Sequence, residues 1–448
     1  MIHRYIPKGD GEKEKMLEKI GVESIDDLFV DIPKELKLTE PLKIPEAMSE
    51  LDLLRRAQEL GEKNIPITSR VSFLGAGVYD HYVPLLIDHI ISRSEFYTSY
   101  TPYQPEIAQG TLQAIFEYQT LICRLTGMDI SNASMYEGAS AAAEALLIAL
   151  ADKRKSNNVL VSAGMHPDAI QVIKTYLHYR DVEVREVPLK DGHTDLEAAK
   201  ELADEHTAGM VMQNPNFFGE MEDVPSFATF AKDNKMLSIL SVDPISLALL
   251  EPPGKQGIDL VIGDGQALGN GLNFGGPYLG FLAVNKKHMR KMPGRLVGVS
   301  KDTEGKRAFV LTLQAREQHI RRYKATSNIC TNMSLNALMA SVYLNTLGKE
   351  GMREVAIQSL SKSHYLYNGL LETGAFEEVF STPFFKEFTL KYKGDVKKLL
   401  AKLLECNIVG GLDLSDYGRE GEILVAVTEK RTKEEMDRYI ACVKEVSA

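Results

Sequence analysis

Residues 158–164 read NVLVSAG, and the alternation that begins there decides the fold. The run is short and apolar and ends on small residues, as a buried strand does. PDAIQVIKTYLHYR (167–180) follows with apolar residues at helical spacing. The rhythm repeats: VEVREVPL (182–189) reads as strand, DLEAAKELADEH (195–206) as helix and GMVMQNP (209–215) as strand. FATFAKDNK (227–235) is helical, and MLSILSVDP (236–244), IDLVIGD (258–264) and LGFLAV (279–284) are strands. Short apolar runs separated by amphipathic helices predict an α/β domain with a mostly parallel sheet. The turns VSAGMHP, MQNPN, LSVDP and IGDGQ follow strand C-terminal ends, where open α/β sheets bind ligands. None of them carries G-x-G-x-x-G or G-x-x-x-x-G-K-[ST], which disfavours nicotinamide and P-loop chemistry.

Upstream, GTLQAIFEYQTLICRLT (110–126) predicts a helix stopped by Gly127, and EGASAAAEALLIALADKRK (137–155) a second, rich in small residues. FLGAGVYDHYVP (73–84) and EFYTSYTPYQPEIAQG (95–110) read as loops between short helices. Residues 1–65 are charged and helical. Met48, Leu51 and Leu54 fall at helical spacing there, suggesting a docking arm. Beyond Asn332 a long helix (334–348, then 351–374) leads to a strand FKEFTLKY (385–392), a helix at 396–407, a strand at 421–429 and a closing helix at 431–447. The expected organisation is an arm (1–65), a large α/β domain (66–332) and a small α+β domain (333–448).

The chain has 448 residues, 44% hydrophobic and 25% charged, with a net charge of −10. These are globular values, and the length allows a sizeable core. The negative balance argues against general binding of nucleic acid or anionic membranes, yet tolerates a local anion pocket. No apolar run approaches the roughly 20 residues of a membrane span, and MIHRYIPKGDGEKEKMLEKIG lacks a secretory h-region. Cys123, Cys330, Cys406 and Cys442 are scattered without a C-x-x-C pair, so inert thiols in a reducing cytoplasm are expected, and no metal site.

Several residues could carry chemistry. Asp243, an acid at a sheet's C-terminal edge, could hold a ligand's ring nitrogen protonated, as pyridoxal phosphate requires. It could equally cap the turn before Pro244. His166 could stack on such a ring or be an ordinary residue at a helix start. The run GDGQALGNGLNFGGPYLG (263–280) would let backbone approach a ligand or another chain. A self-sufficient pyridoxal enzyme needs a lysine in such a loop, yet none occurs between Lys255 and Lys286. Tyr97, Tyr100 and Tyr103 suit an interface or a ligand wall. Arg316 and Lys324 could bind a carboxylate or phosphate.

From about residue 70 to 335 these stretches, in order, resemble the α subunits of two-subunit glycine decarboxylase, the P-protein of the glycine cleavage system. FLGAGVYDHYVP, YTPYQPEIAQGTLQAIFEYQT, ASMYEGASAAAEA, GQALGNGLNFGGPYLGFLA, MPGRLVG and LQAREQHIRRYKATSNICTN carry the resemblance. It implies a fold-type-I, aspartate aminotransferase-like architecture. It also implies a division of labour: the β subunit holds pyridoxal phosphate on a lysine, and the α subunit keeps the frame without it. Gly269-Asn270 stands roughly where a His-Lys pair is expected in a β subunit, so His166, Asp243 and Asn270 become degenerate cofactor-site positions. Tyr97, Tyr100, Thr101, Tyr103 and Gln104 become the wall or entrance of the partner's site. The implied reaction decarboxylates glycine, releases carbon dioxide and passes the aminomethyl group to the lipoyl arm of H-protein. An α2β2 heterotetramer, inactive without β, is what the family suggests. Two other readings stay open: a catalytically silent scaffold or regulatory subunit, and a self-sufficient aminotransferase-like enzyme using Lys255 or another lysine.

Overall fold

In the computed structural model, which describes residues 9, 11–38, 40–273, 275–330 and 332–447, the chain divides after Ile65. The first unit holds α1 (Glu12–Ile20) and α2 (Glu50–Gly61), the latter capped by the Ser49 hydroxyl, which accepts from the Asp52 amide. Its amphipathic pattern finds no core within the unit: Met48, Leu51 and Leu54 are 54%, 57% and 61% exposed.

The first longer helices of the second unit, 66–448, are α3 (Leu85–Ile91) and α4 (Gln109–Thr126), which stops at Gly127 in the left-handed conformation; a two-residue strand, Val71–Ser72, precedes them and pairs with Ile408–Val409. Then come β1 (Ile130–Ser131), α5 (Gly138–Asp152), β2 (Asn158–Ser162), α6 (Pro167–Leu177), β3 (Glu183–Val187) and α7 (Leu196–Leu202). The series continues with β4 (Thr207–Asn214), α8 (Val224–Asp233), β5 (Leu237–Val242), β6 (Leu260–Asp264) and β7 (Gly280–Val284). These strands form one seven-stranded sheet in the order β1-β7-β6-β5-β4-β2-β3. The five from β3 to β6 run parallel, and β7 is antiparallel to both neighbours. All five residues of β2 are buried, because a parallel strand is covered on both faces. Successive side chains take opposite faces: Leu160 joins the core with α4 and α8, while Val159 and Val161 join the core with α5 and α6. Residues 140–149 of α5, five of them alanines, are buried all round, letting it pack closely across β4, β5 and β6.

A hairpin, β8 (Leu296–Lys301) and β9 (Arg307–Thr312), follows in a stretch that carries no strand signal in the reading above. Helix α9 (Ser334–Glu372) bends at Gly348 (φ 60°). It leads to a four-stranded antiparallel sheet of β10 (Phe376–Glu378), β11 (Glu387–Tyr392), β12 (Leu412–Asp413) and β13 (Glu422–Ala426), ordered β10-β11-β13-β12. Helices α10 (Val396–Glu405) and α11 (Lys433–Ser447) complete it. One expectation fails here. Cys406 and Cys442 are joined as a disulfide rather than left as free thiols. They are 36 residues apart, so spacing carries no cue; the packing of α10 on α11 brings them together. Cys123 and Cys330 are free. No helix among the described residues is long and apolar enough to cross a membrane.

Candidate functional site

The C-terminal ends of β2, β4, β5 and β6 open onto one cavity of about 230 Å³. His166 and Asp243 both line it, so the structure brings together the two strand-end residues singled out above. Asp243 follows β5, and its Oδ1 accepts the Ile245 amide, so it does cap the turn before Pro244. Its other oxygen, Oδ2, is taken by Lys386, whose Nζ lies 2.6 Å away and whose residue is 2% exposed.

Lys386 immediately precedes β11 of the small sheet and is held on three sides. It pairs with Asp243, lies 3.7 Å from the centroid of the Tyr79 ring, and donates to His81 Nε2 at 3.0 Å. With Nε2 accepting, His81 Nδ1 carries the proton and donates to Glu429 at 2.6 Å. Burial, and then the Lys386 charge, hold the His81 pKa down, so the ring stays neutral. Next to it, Glu387 accepts from the Ala76 amide at 2.6 Å and the Tyr79 hydroxyl at 2.7 Å. Burial pushes its carboxyl up to about 7.

The other end of the cavity is the N-terminus of α5, whose free amides would suit an anion. Carboxylates of the chain already occupy it. Glu137 accepts from the Ser140 amide at 2.8 Å and also from the Ser140 hydroxyl. Asp264, at the end of β6, accepts from the Gly138 amide at 3.0 Å and the Gln266 amide at 2.8 Å. Burial pushes Asp264 up to about 6.

His166 caps α6: its Nδ1 accepts from the Asp168 amide at 3.1 Å, and its Nε2 donates to the Ala76 carbonyl at 3.0 Å. Burial lowers its pKa. The glycine run packs backbone rather than opening a ligand cradle. A Cβ on Gly263 would lie 2.5 Å from the Val242 carbonyl oxygen, and one on Gly280 would lie 2.4 Å from that of Glu137. Pyridoxal phosphate needs a free acid for its ring nitrogen, open donors for its phosphate and a lysine in the β6–β7 loop. Here the acid is paired, the donors are capped and residues 265–279 contain no lysine, so these residues do not fit the cofactor.

The remaining sequence candidates lie elsewhere. Asn270 is buried but does not line the cavity: its side-chain oxygen accepts from Asn336 of α9 at 2.8 Å. Lys255 and Lys286 are exposed and likewise outside it. Tyr97, Tyr100 and Tyr103 are 69%, 78% and 47% exposed, with Thr101 half-buried and Gln104 exposed between them. The Tyr103 hydroxyl accepts from the buried Arg295 at 3.1 Å. Arg316 is half-buried and donates from Nη1 to the Met292 carbonyl; its Nε and Nη2 have no hydrogen-bond partner among the described residues. Lys324 is exposed beside Tyr323, so the structure does not join these two cations in one pocket. Lys386 and Glu387 are the residues missed by sequence reasoning. The available signal was two adjacent charges inside the aromatic run FFKEF, at a point where a strand was expected.

A parallel sheet with a ligand cavity at its strand ends and a small antiparallel sheet beside it is the architecture of fold-type-I pyridoxal-phosphate enzymes. Lactobacillus brevis glutamate decarboxylase shares it at a TM-score of 0.68 and 12% identity, covering 92% of this chain and 96% of that one. A crystal structure of glycine decarboxylase (P-protein) of the glycine cleavage system, in inhibitor-bound form, matches at a TM-score of 0.90 and 43% identity, over 99% of this chain and 100% of that one. The family model for the glycine cleavage system P-protein matches residues 3–443, and the chain belongs to that family. A relative from Carboxydothermus hydrogenoformans, named probable glycine dehydrogenase (decarboxylating) subunit 1, is 53% identical over 439 residues, 98% of each chain.

Proposed function

We propose that this chain is the non-lysine first subunit of a two-subunit glycine decarboxylase, active only with its second subunit. The single observation that carries the reading is a pyridoxal-type cavity whose ring-nitrogen acid, Asp243, is already paired with Lys386, in a chain related to proteins named subunit 1. Pyridoxal phosphate, held covalently by the partner subunit, supplies the electron sink for decarboxylation. The exposed Tyr97–Gln104 segment contributes a wall of the partner's site, positioned from behind by Arg295 against Tyr103. Aromatic rings with hydroxyl tips suit that role, offering apolar area that excludes water and a polar end that orients substrate. The enzyme so formed releases carbon dioxide and passes the aminomethyl group to the lipoyl arm of H-protein, reducing its disulfide, as an αβ pair assembled into a cytoplasmic heterotetramer.

The test is a glycine–bicarbonate exchange assay on each subunit alone and on the co-purified pair. Exchange by the pair only is the expected result; exchange by this chain alone contradicts the reading.

A further inference from the structure

The two ends of the cavity share a pattern of sign. Bound pyridoxal phosphate presents a protonated ring nitrogen to an acid after a central strand and a phosphate to a helix N-terminus. In this chain a cation, the Lys386 ammonium, stands 2.6 Å from the acid after β5. At the N-terminus of α5, two anions, the carboxylates of Glu137 and Asp264, take the first-turn amides of Ser140 and Gly138. Each charge has the sign of the cofactor group that would otherwise be there. Without it, Asp243 would be a nearly buried, half-paired carboxylate, and α5 would present unpaired donors to a buried space.

We propose that the cavity is a cofactor frame occupied by the chain's own side chains: Lys386 takes the place of the ring nitrogen, and Glu137 with Asp264 the place of the phosphate. The occupied frame acts as a strut between the two sheets. Glu387 opens a strand of the small sheet and Lys386 immediately precedes it, whereas Asp243 follows β5 of the large sheet; the Ala76 amide and the Tyr79 hydroxyl, which Glu387 accepts from, line the same cavity. The chain Glu429–His81–Lys386–Asp243 runs through this junction as consecutive hydrogen-bonded contacts. The cavity therefore refuses pyridoxal phosphate because both of its charged contacts are already made, in addition to lacking the lysine. This deepens the proposed function, resting on its premise that the cofactor is held by the partner.

The experiment titrates the isolated full-length chain with pyridoxine 5′-phosphate, which has the ring and phosphate but no aldehyde to react with surface lysines, and separately with inorganic phosphate. Calorimetry and thermal shift are the readouts. The wild-type chain should show no saturable binding up to about 1 mM. Glu137→Ser with Asp264→Asn, which leaves the Lys386–Asp243 pair intact, should gain binding of both probes by about tenfold or more. Adding Lys386→Met should improve pyridoxine 5′-phosphate further and leave inorganic phosphate unchanged, because only the ring needs Asp243. Saturable wild-type binding of pyridoxine 5′-phosphate overturns the proposal, as does a folded double variant that gains nothing. If the triple variant loses its near-ultraviolet dichroism, the double variant and the wild type still decide. The exchange assay of the assembled enzyme is independent: wild-type binding sinks this inference alone, and exchange by the lone chain sinks the proposed function.

Discussion

The strand-end cavity and the Tyr97–Gln104 segment differ in how fully their polar groups are used. In the cavity, Asp243, Lys386, Glu137, Asp264 and Glu387 all have partners within the chain. In the segment, Tyr97 and Tyr100 stand 69% and 78% exposed, and among the described residues Arg295 anchors Tyr103 alone of the three tyrosine hydroxyls. A site that keeps its geometry and satisfies its own charges has become structure. Large aromatic side chains left exposed in a row are where an unmet contact is expected.

The largest expected effect comes from breaking the structural side of that contrast. Lys386→Ala leaves Asp243 buried without its counter-ion and should cost about 3–5 kcal/mol in denaturant unfolding of the full chain. Removing both charges, Lys386→Met with Asp243→Asn, should cost clearly less than Lys386→Met alone. A loss below about 1 kcal/mol for Lys386→Ala would mean the pair is not a strut.

A smaller effect separates an ion-paired buried charge from a carboxyl without a close counter-ion. Glu144 on α5 is 3% exposed and its Oε2 has no hydrogen-bond partner among the described residues; burial, only partly offset by Ser327 and the Arg180 charge, pushes its carboxyl up from 4.5 to about 7. The folded pKa lies above the unfolded one, so folding binds the proton more tightly. The stabilising contribution is full below about 4.5 and is lost as pH rises through about 7. Glu144→Gln should remove up to about 3 kcal/mol of that dependence. Thermal midpoints of both proteins between pH 5 and 8, a window chosen around the shift of Glu144, should converge at the acid end and separate at the alkaline end with the variant higher. Parallel curves would place the carboxylate in contact with a cation or with water.

The smallest effect on stability belongs to the exposed side. Tyr97→Ala and Tyr100→Ala should each change unfolding free energy by no more than about 0.5 kcal/mol. Turnover of the assembled enzyme should nevertheless fall by about tenfold or more. Unchanged turnover with assembly intact would assign the segment no chemistry and favour a purely scaffolding subunit.

Much of the large sheet is legible in the sequence because its parallel strands are buried on both faces. NVLVS and LSILSV therefore read as uninterrupted apolar runs between amphipathic helices. Asp243 and His166 are legible for a related reason: strand-end turns are the places such a sheet can put a ligand. Lys386 is not. It sits in a run of seven consecutive buried residues, Phe384 to Leu390, and its partner lies 143 positions earlier, a pairing created only when the small sheet meets the large one. Asn270 shows the converse. Its place in the glycine run suggests a cofactor position, but the loop turns it toward Asn336 on α9. The Cys406–Cys442 bond escapes for the same reason as Lys386, since helix packing rather than spacing creates it.

The most direct test of the central claim is to find which subunit carries the cofactor. The enzyme assembled from both subunits with pyridoxal phosphate is reduced with borohydride, digested and mapped by mass spectrometry. A pyridoxyl group on a lysine of the partner subunit, and none on this chain, is the expected result. A stoichiometric pyridoxyl group on Lys386, or on any other lysine of this chain, would contradict it.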